Sequence, residues 1–404
     1  MVLPTEFFST NNFCTQMAKL GNVVYYNFLP KNIVISHKFV SEIYSLPSNI
    51  ISTLKGQIET DKASVLDNTQ YIKQRSSIKI LGYLFSETYL DLLIYSDAIC
   101  LEQYIHEYIN TFGSISNNGL IQIEDTIDFL IDILFKNACF RVFGKKLMAL
   151  PDILGFANNI LPSRFLSKDP TCAVKIIKDY YGLVFNDDSD QISECLVRVI
   201  RSMFVISPHR IHNILVNISS QPLVAAILIN EQQKIIKVFG NSISMDAIAQ
   251  MHYLDDFIQE SMFRSAPASY LHRKIENTVI LSNGIKIPKG SLLSINHFSK
   301  FNYNEETDYN LQKFIPQLNS KNITESENSC FDNMIYGYGN GKCPYSKYAN
   351  AQMMTIISII IRNYIITDND EGNKPEHPGY KRIFTISPKT SSLYFKRIFI
   401  NTFI

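Results

Sequence analysis

Apolar and polar positions along the chain follow two periods, which change over at recognisable turn chemistry. Asn22 to Phe28 (NVVYYNF) is β-branched and aromatic, Leu29-Pro30-Lys31-Asn32 supplies a turn, and Ile33 to Ile35 reads as a second strand. Ser36 is placed to cap a short helix through Tyr44 that Leu46-Pro47-Ser48 stops. From Asp67 to Val205 the pattern is mainly helical. Within it, Thr126 to Phe135 (TIDFLIDILF) sets Ile127, Leu130, Ile131 and Leu134 on one face and Asp128 and Asp132 on another. A long helix is predicted from Asp188 toward Asn217. Pro208 inside it removes a donor, so it either kinks the helix or marks a boundary, and pattern alone favours the boundary.

Asp246 to Arg264 reads as another amphipathic helix. Thr278 to Leu281 and Ile285 to Ile287 then flank Ser282-Asn283-Gly284 as a hairpin, and Pro288-Lys289-Gly290 leads to a strand from Ser291 to Ile295. A glycine-rich loop, Tyr336 to Cys343, precedes a helix from Ala349 to Ile366. The tail holds two predicted strands, Arg382 to Ile386 and Ser392 to Phe395. No repeat and no linker interrupts this order. The fold expected is mainly α with a smaller β region, as a single domain over residues 1–404.

Composition narrows the classes. Across 404 residues, 46% are hydrophobic and 19% charged, which excludes disorder as a description of the whole. A net charge of +1 gives no general attraction to nucleic acid or anionic lipid. The 7 cysteines are scattered without a C-x-x-C pair, so a reducing compartment is expected rather than a disulfide framework or structural zinc. Met353 to Ile361 is too short to cross a bilayer and is followed by Arg362, which suits a buried helix. The N-terminus carries neither a basic region nor an apolar core of a signal peptide. An intracellular chain without a spanning helix is expected.

The candidate chemistry lies in Tyr336-Gly337-Tyr338-Gly339-Asn340-Gly341-Lys342-Cys343-Pro344. Three glycines allow tight turning and close approach to a flat ligand. A cysteine just ahead of a long apolar helix gains from the helix dipole as a thiolate, which favours metal ligation, including axial ligation of haem iron. Two other readings stand beside this: an ordinary glycine-rich turn next to a buried cysteine, and a phosphate loop, against which the absence of Walker spacing and its hydroxyl residue argues.

The loop resembles the haem-binding signature F-x-x-G-x-x-x-C-x-G of the cytochrome P-450 family, with Tyr336 for the aromatic residue, Gly339 for the glycine and Cys343 for the ligand. Other segments are similar to the family's in the same order. Tyr253 to Glu260 looks like its K-helix entry, Leu271 to Lys274 and Ser282 to Gly290 like the following sheet, and Phe314-Ile315-Pro316 like its meander. Asn22 to Pro47, Arg141-Val142-Phe143-Gly144 and Ser391 to Arg397 resemble segments of fungal members. The resemblance implies the family's fold and haem b held by the Cys343 thiolate. It also implies monooxygenation of an apolar small molecule with electrons from an NADPH-dependent reductase. Likeness to fungal secondary-metabolism members implies a terpenoid or polyketide intermediate as substrate. It also implies attachment to the endoplasmic reticulum membrane through an N-terminal anchor; this sequence begins about where such an anchor would end, so either a soluble protein or a truncated sequence is expected. No nucleic-acid partner is implied.

Carried onto this sequence, the resemblance assigns Arg273 to a haem propionate, with Lys342 and either Arg75 or Lys79 as further basic candidates. Ser207 is the one hydroxyl near the family's acid–alcohol pair, where Val205 and Ile206 stand instead. It either holds a proton-relay water or bonds back to its own helix. Met203 occupies a place where a small residue is usual. Other departures are Phe263 and Leu318 for two arginines, with Glu260–Arg264 as a possible substitute pair at i,i+4. Gly341 replaces a basic residue and Tyr345 a glycine, and a chain without Trp lacks the C-helix tryptophan. These departures keep two alternatives open, a haem-thiolate isomerase or dehydratase and a degenerate non-catalytic descendant. His209, His212, His272 and His297 read as structural, and Cys330 as an ordinary thiol.

Overall fold

In the computed structural model, the residues described are 23–26, 32–52, 55–56, 85–143, 203, 206–265, 273–296, 336, 343–371, 388 and 390–398. The chain divides into two compact units, each assembled from three separate segments. The first comprises Met1–Tyr71, Asp256–Cys343 and Glu376–Lys389; the second comprises Ile72–Asp255, Pro344–Pro375 and Thr390–Ile404.

The first unit is built on a five-stranded sheet, with β1 (Val23–Tyr26), β2 (Asn32–Ser36), β9 (Leu292–Asn296), β6 (Arg273–Ile275) and β3 (Ile51–Ser52) side by side in that order. β1 and β2 form the antiparallel pair expected from their turn. β2 then runs parallel to β9, setting Ile33 opposite Leu293 and Ile35 opposite Ile295. Burial of Ile33, Val34, Ile35 and Ser36 in succession is what a strand covered on both faces requires. Helix α1 (Val40–Tyr44) presses Val40 and Ile43 into the same core as Ile275, Ile287 and Ile295. Ser36 accepts the Lys38 amide at 3.4 Å, opening a 3-10 turn, so its cap acts one turn before α1 itself. The expected hairpin is present as β7 (Val279–Ile280) and β8 (Lys286–Ile287). Its turn needs Gly284 at φ 83°, where a side chain is disfavoured, and Asn283 Oδ1 accepts the Ile285 amide.

The second unit is mainly helical. Helix α2 (Glu87–Phe112) buries Leu90, Leu93, Ile94, Asp97, Ala98, Leu101, Ile105 and Ile109, an apolar stripe with one carboxylate in it. Helix α3 (Thr126–Phe143) extends the predicted segment and buries Phe129, Leu130, Ile133 and Leu134; Asp132 pairs with Lys136 at 2.8 Å instead of facing solvent alone. Helix α4 (Ser207–Ser219) opens with Pro208 in its first turn, the one place where a missing amide costs nothing, so proline marks a boundary here. Helix α5 (Pro222–Phe239) follows. The final helix α8 (Ser346–Asn363) packs against α2, α4 and α5, and Met353 through Ile361 are buried without exception.

Three expectations are corrected. The helix predicted over Asp246 to Arg264 is two, α6 (Met245–Ile248) and α7 (His252–Arg264). Ser244 caps the first by accepting the Ala247 amide. The second restarts because the buried Glu231 carboxylate on α5 accepts the Tyr253 and Leu254 amides at 2.7 and 3.0 Å, an anion on a helix N-terminus. Secondly, α8 ends at Asn363 and not Ile366: the next residues form β10 (Tyr364–Thr367), which alternates inward and outward. Thirdly, the mainly helical middle of the chain contains β4 (Ser114–Ile115) and β5 (Ile121–Ile123). They join β11 (Leu393–Arg397) and β10 in a sheet ordered β10-β11-β5-β4. The predicted strand from Arg382 to Ile386 lies outside the described residues.

Among the described residues no single helix is long and apolar enough to cross a membrane. α4 and α5 reach that length and composition only together, and they are bent by 109°.

Candidate functional site

The glycine-rich loop is closed by its own backbone. The Cys343 amide donates to the Tyr336 carbonyl at 2.6 Å, so the two ends of the loop meet. Tyr336 in turn donates its hydroxyl to Met262 Sδ at 3.7 Å, tying the loop to α7. Cys343 is half-buried. Chain order delivers this cysteine three residues ahead of α8, as the sequence implied. Gly339 and Lys342 lie outside the described residues, as do Arg75 and Lys79.

Arg273 opens β6 and shares an inward face with Ile275, an unusual place for a cation. Its guanidinium lies over the Tyr44 ring, 4.8 Å from the centroid. Burial pulls its protonation below the ordinary arginine range, and Tyr44 opposes that shift. The Tyr44 hydroxyl moves the other way, raised by burial and lowered again by Arg273.

Ser207 is the first residue of α4 and is buried, while Ile206 before it is exposed. Met203 is fully buried. His212 is a core histidine, with Nε2 3.0 Å from the Thr390 carbonyl, and the structural reading given to it stands. Glu260 lies half-buried on α7, whereas the side chains of Phe263 and Arg264, and all of Leu318, lie outside the described residues. The structure therefore brings Tyr336 and Cys343 together and sets Arg273 in the same unit, while Ser207 belongs to the second.

Sequence reasoning missed a buried polar cluster in the second unit. Arg141, from the segment singled out on α3, donates to the Asp97 carboxylate on α2 and to the Leu93 carbonyl at 2.8 Å. The second oxygen of Asp97 accepts the Tyr348 hydroxyl of α8. Gln352 donates to Tyr348 at 3.1 Å, and Tyr345 reaches Gln352 Oε1 at 3.4 Å. Burial acts to lower the protonation of Arg141, but Asp97 and Tyr348 outweigh it and hold the group above the usual range. Burial, then Asp97, raises the Tyr348 hydroxyl well above the usual phenol. The available signal was Asp97 itself, a carboxylate at a core position of an amphipathic helix.

These features define a mainly helical protein with a smaller sheet portion and a half-buried cysteine where the two ends of a glycine-rich segment meet. Residues 209–395 match the family model described as cytochrome P-450. A cytochrome P-450 monooxygenase of Postia placenta is 23% identical over 221 residues, 52% of this chain and 44% of that protein. The dideacetyl fusicoccin A C-19 hydroxylase of Phomopsis amygdali is 23% identical, over 37% of this chain and 29% of its own length. The chain thus spans less than half the length of the curated relatives it matches. In fold, the retinoic acid bound cyanobacterial CYP120A1 superposes over 98% of both chains with a TM-score of 0.71 at 15% identity. Residues 209–395 are thus similar to the cytochrome P-450 family, and the fold of the chain is that of the solved P-450 structure.

The likeness to this family implies haem, and the chemistry of two residues is compatible with it. Cys343 supplies the soft donor that haem-thiolate chemistry needs. Arg273 is a buried cation whose charge is disfavoured by its surroundings, and a carboxylate brought beside it would relieve that cost.

Proposed function

We propose that the protein is a haem-thiolate monooxygenase that oxidises an apolar small molecule, with Cys343 as the proximal ligand of haem b. The observation that carries this reading is the backbone closure, Cys343 amide to Tyr336 carbonyl at 2.6 Å, which holds a half-buried cysteine at the end of the glycine-rich segment and just ahead of α8. When bound, the haem supplies the oxygen-activating chemistry, driven by two electrons from an NADPH-dependent reductase. Tyr336 and Gly339 belong in this reading to the segment that binds the haem. Arg273 holds a propionate, with Lys342 and Arg75 as additional basic partners. Ser207, buried at the head of α4, holds a water or passes a proton.

The relatives compared above are a monooxygenase and a hydroxylase of fungi, which supports a small-molecule substrate of fungal metabolism. On that basis we assign a terpenoid or polyketide intermediate of fungal secondary metabolism. Residues 1–404 act in this reading as one haem domain, since both units draw on segments spread over the whole chain. Location at the endoplasmic reticulum membrane follows from the same relationship.

The test is reconstitution with haem, a reductase and NADPH against a panel of apolar terpenoids and polyketides. The reading predicts products heavier by one oxygen that require O2 and NADPH and vanish in Cys343→Ala. Turnover of peroxides or epoxides without reductase would instead make the protein an isomerase or dehydratase.

A further inference from the structure

Tyr345 stands two residues beyond Cys343, where the family's signature has glycine, and the structure gives it a seat. It is buried, and its ring meets Phe85 edge-on at 4.8 Å between centroids and Tyr348 at 5.1 Å. Phe85 also packs on Tyr348 at 4.6 Å, closing a triangle of three rings. Tyr348 is itself fixed by the Asp97 carboxylate and by Gln352, and Asp97 by the fully buried Arg141. The triangle therefore rests on a buried ion pair and not on rotamer preference alone.

The link from Tyr345 back to Cys343 is stiff. Pro344 locks its own φ, and a residue ahead of proline is confined to extended backbone, so few soft torsions separate the two positions. A glycine at 345 would remove the ring seat on the α8 side of the cysteine, leaving the Cys343–Tyr336 backbone bond on the other. We propose that Tyr345 is the positioning residue that moors Cys343, using the Phe85–Tyr348 ring seat backed by Asp97 and Arg141. This rests on the assignment of Cys343 as haem ligand.

Alkylation of haem-free protein with iodoacetamide, followed by peptide mass mapping, tests the mooring without haem. Cys139, buried on α3, serves as internal reference for global loosening. Tyr345→Gly should raise the labelling rate at Cys343 about fivefold, the effect of losing roughly one ordinary interaction, with Cys139 unchanged. Phe85→Leu, which leaves the loop sequence intact, should move it the same way, and Tyr345→Phe should restore it because the ring is kept. Unchanged Cys343 labelling in Tyr345→Gly and Phe85→Leu overturns the proposal. So does an equal rise at Cys139, which would make the effect general destabilisation. In haem-loaded protein, the same variants should shift the reduced carbon-monoxide band from long to short wavelength, with Tyr345→Phe again restored. If the wild type shows no long-wavelength band, the assignment of Cys343 as ligand fails, while the labelling result still decides the mooring.

Discussion

Replacing Arg141 by Met removes the guanidinium and keeps most of the side chain's volume. Asp97 is fully buried and takes one hydrogen bond from Arg141 and one from Tyr348. After the substitution its charge keeps the Tyr348 hydroxyl but loses its cation, and the Leu93 carbonyl loses a charged donor. Removal of one partner from a buried ion pair costs about 3–5 kcal/mol, mostly because the remaining charge stays desolvated. Neutralising the survivor should recover much of that, so Asp97→Asn combined with Arg141→Met is expected to cost less than either single change. Urea denaturation followed by far-ultraviolet circular dichroism measures all three. A single-variant loss below about 1 kcal/mol, or a double variant equal to the sum of the singles, would refute the claim that buried charge governs this cluster.

Glu231→Ala leaves the first turn of α7 uncapped, and a loss of about 1–2 kcal/mol in the same denaturation assay is expected, with Glu231→Gln intermediate because the amide offers one acceptor. Alkaline titration tests the buried thiol of Cys139, which burial raises from 9.0 to about 12. Its neutral form is favoured in the folded state, so its contribution is complete below pH 9.0, is lost as pH rises toward about 12, and disappears in Cys139→Ala, whose stability should decline less steeply over that window. Arg273→Met should weaken haem retention about tenfold, the effect of one charge-assisted hydrogen bond, while Arg273→Lys keeps part of it; haem transfer to apomyoglobin measures both.

The hairpin over Thr278 to Ile287 was readable because Asn283-Gly284 carries its own turn chemistry, and no distant residue had to be known. The place of Cys343 just ahead of a buried helix was readable for the same reason: a cysteine and a following apolar run are local facts. β10 was not, because Arg362-Asn363 does not by itself end a helix, and only pairing with β11 makes Tyr364 to Thr367 a strand. The gap between α6 and α7 depends on Glu231, more than twenty residues away, which pattern reading of the segment itself does not include. Asp97 and Arg141 show the intermediate case. Each was visible as a charge in an apolar stripe or a marked segment, but their pairing across α2 and α3, with Tyr348 from α8, is a tertiary fact.

The reduced carbon-monoxide difference spectrum of haem-loaded protein, recorded beside Cys343→Ala, bears most directly on the central claim. Thiolate ligation by Cys343 predicts a long-wavelength Soret band in the wild type that is lost in the variant. A short-wavelength band in both proteins, or no haem uptake by the wild type, would contradict it.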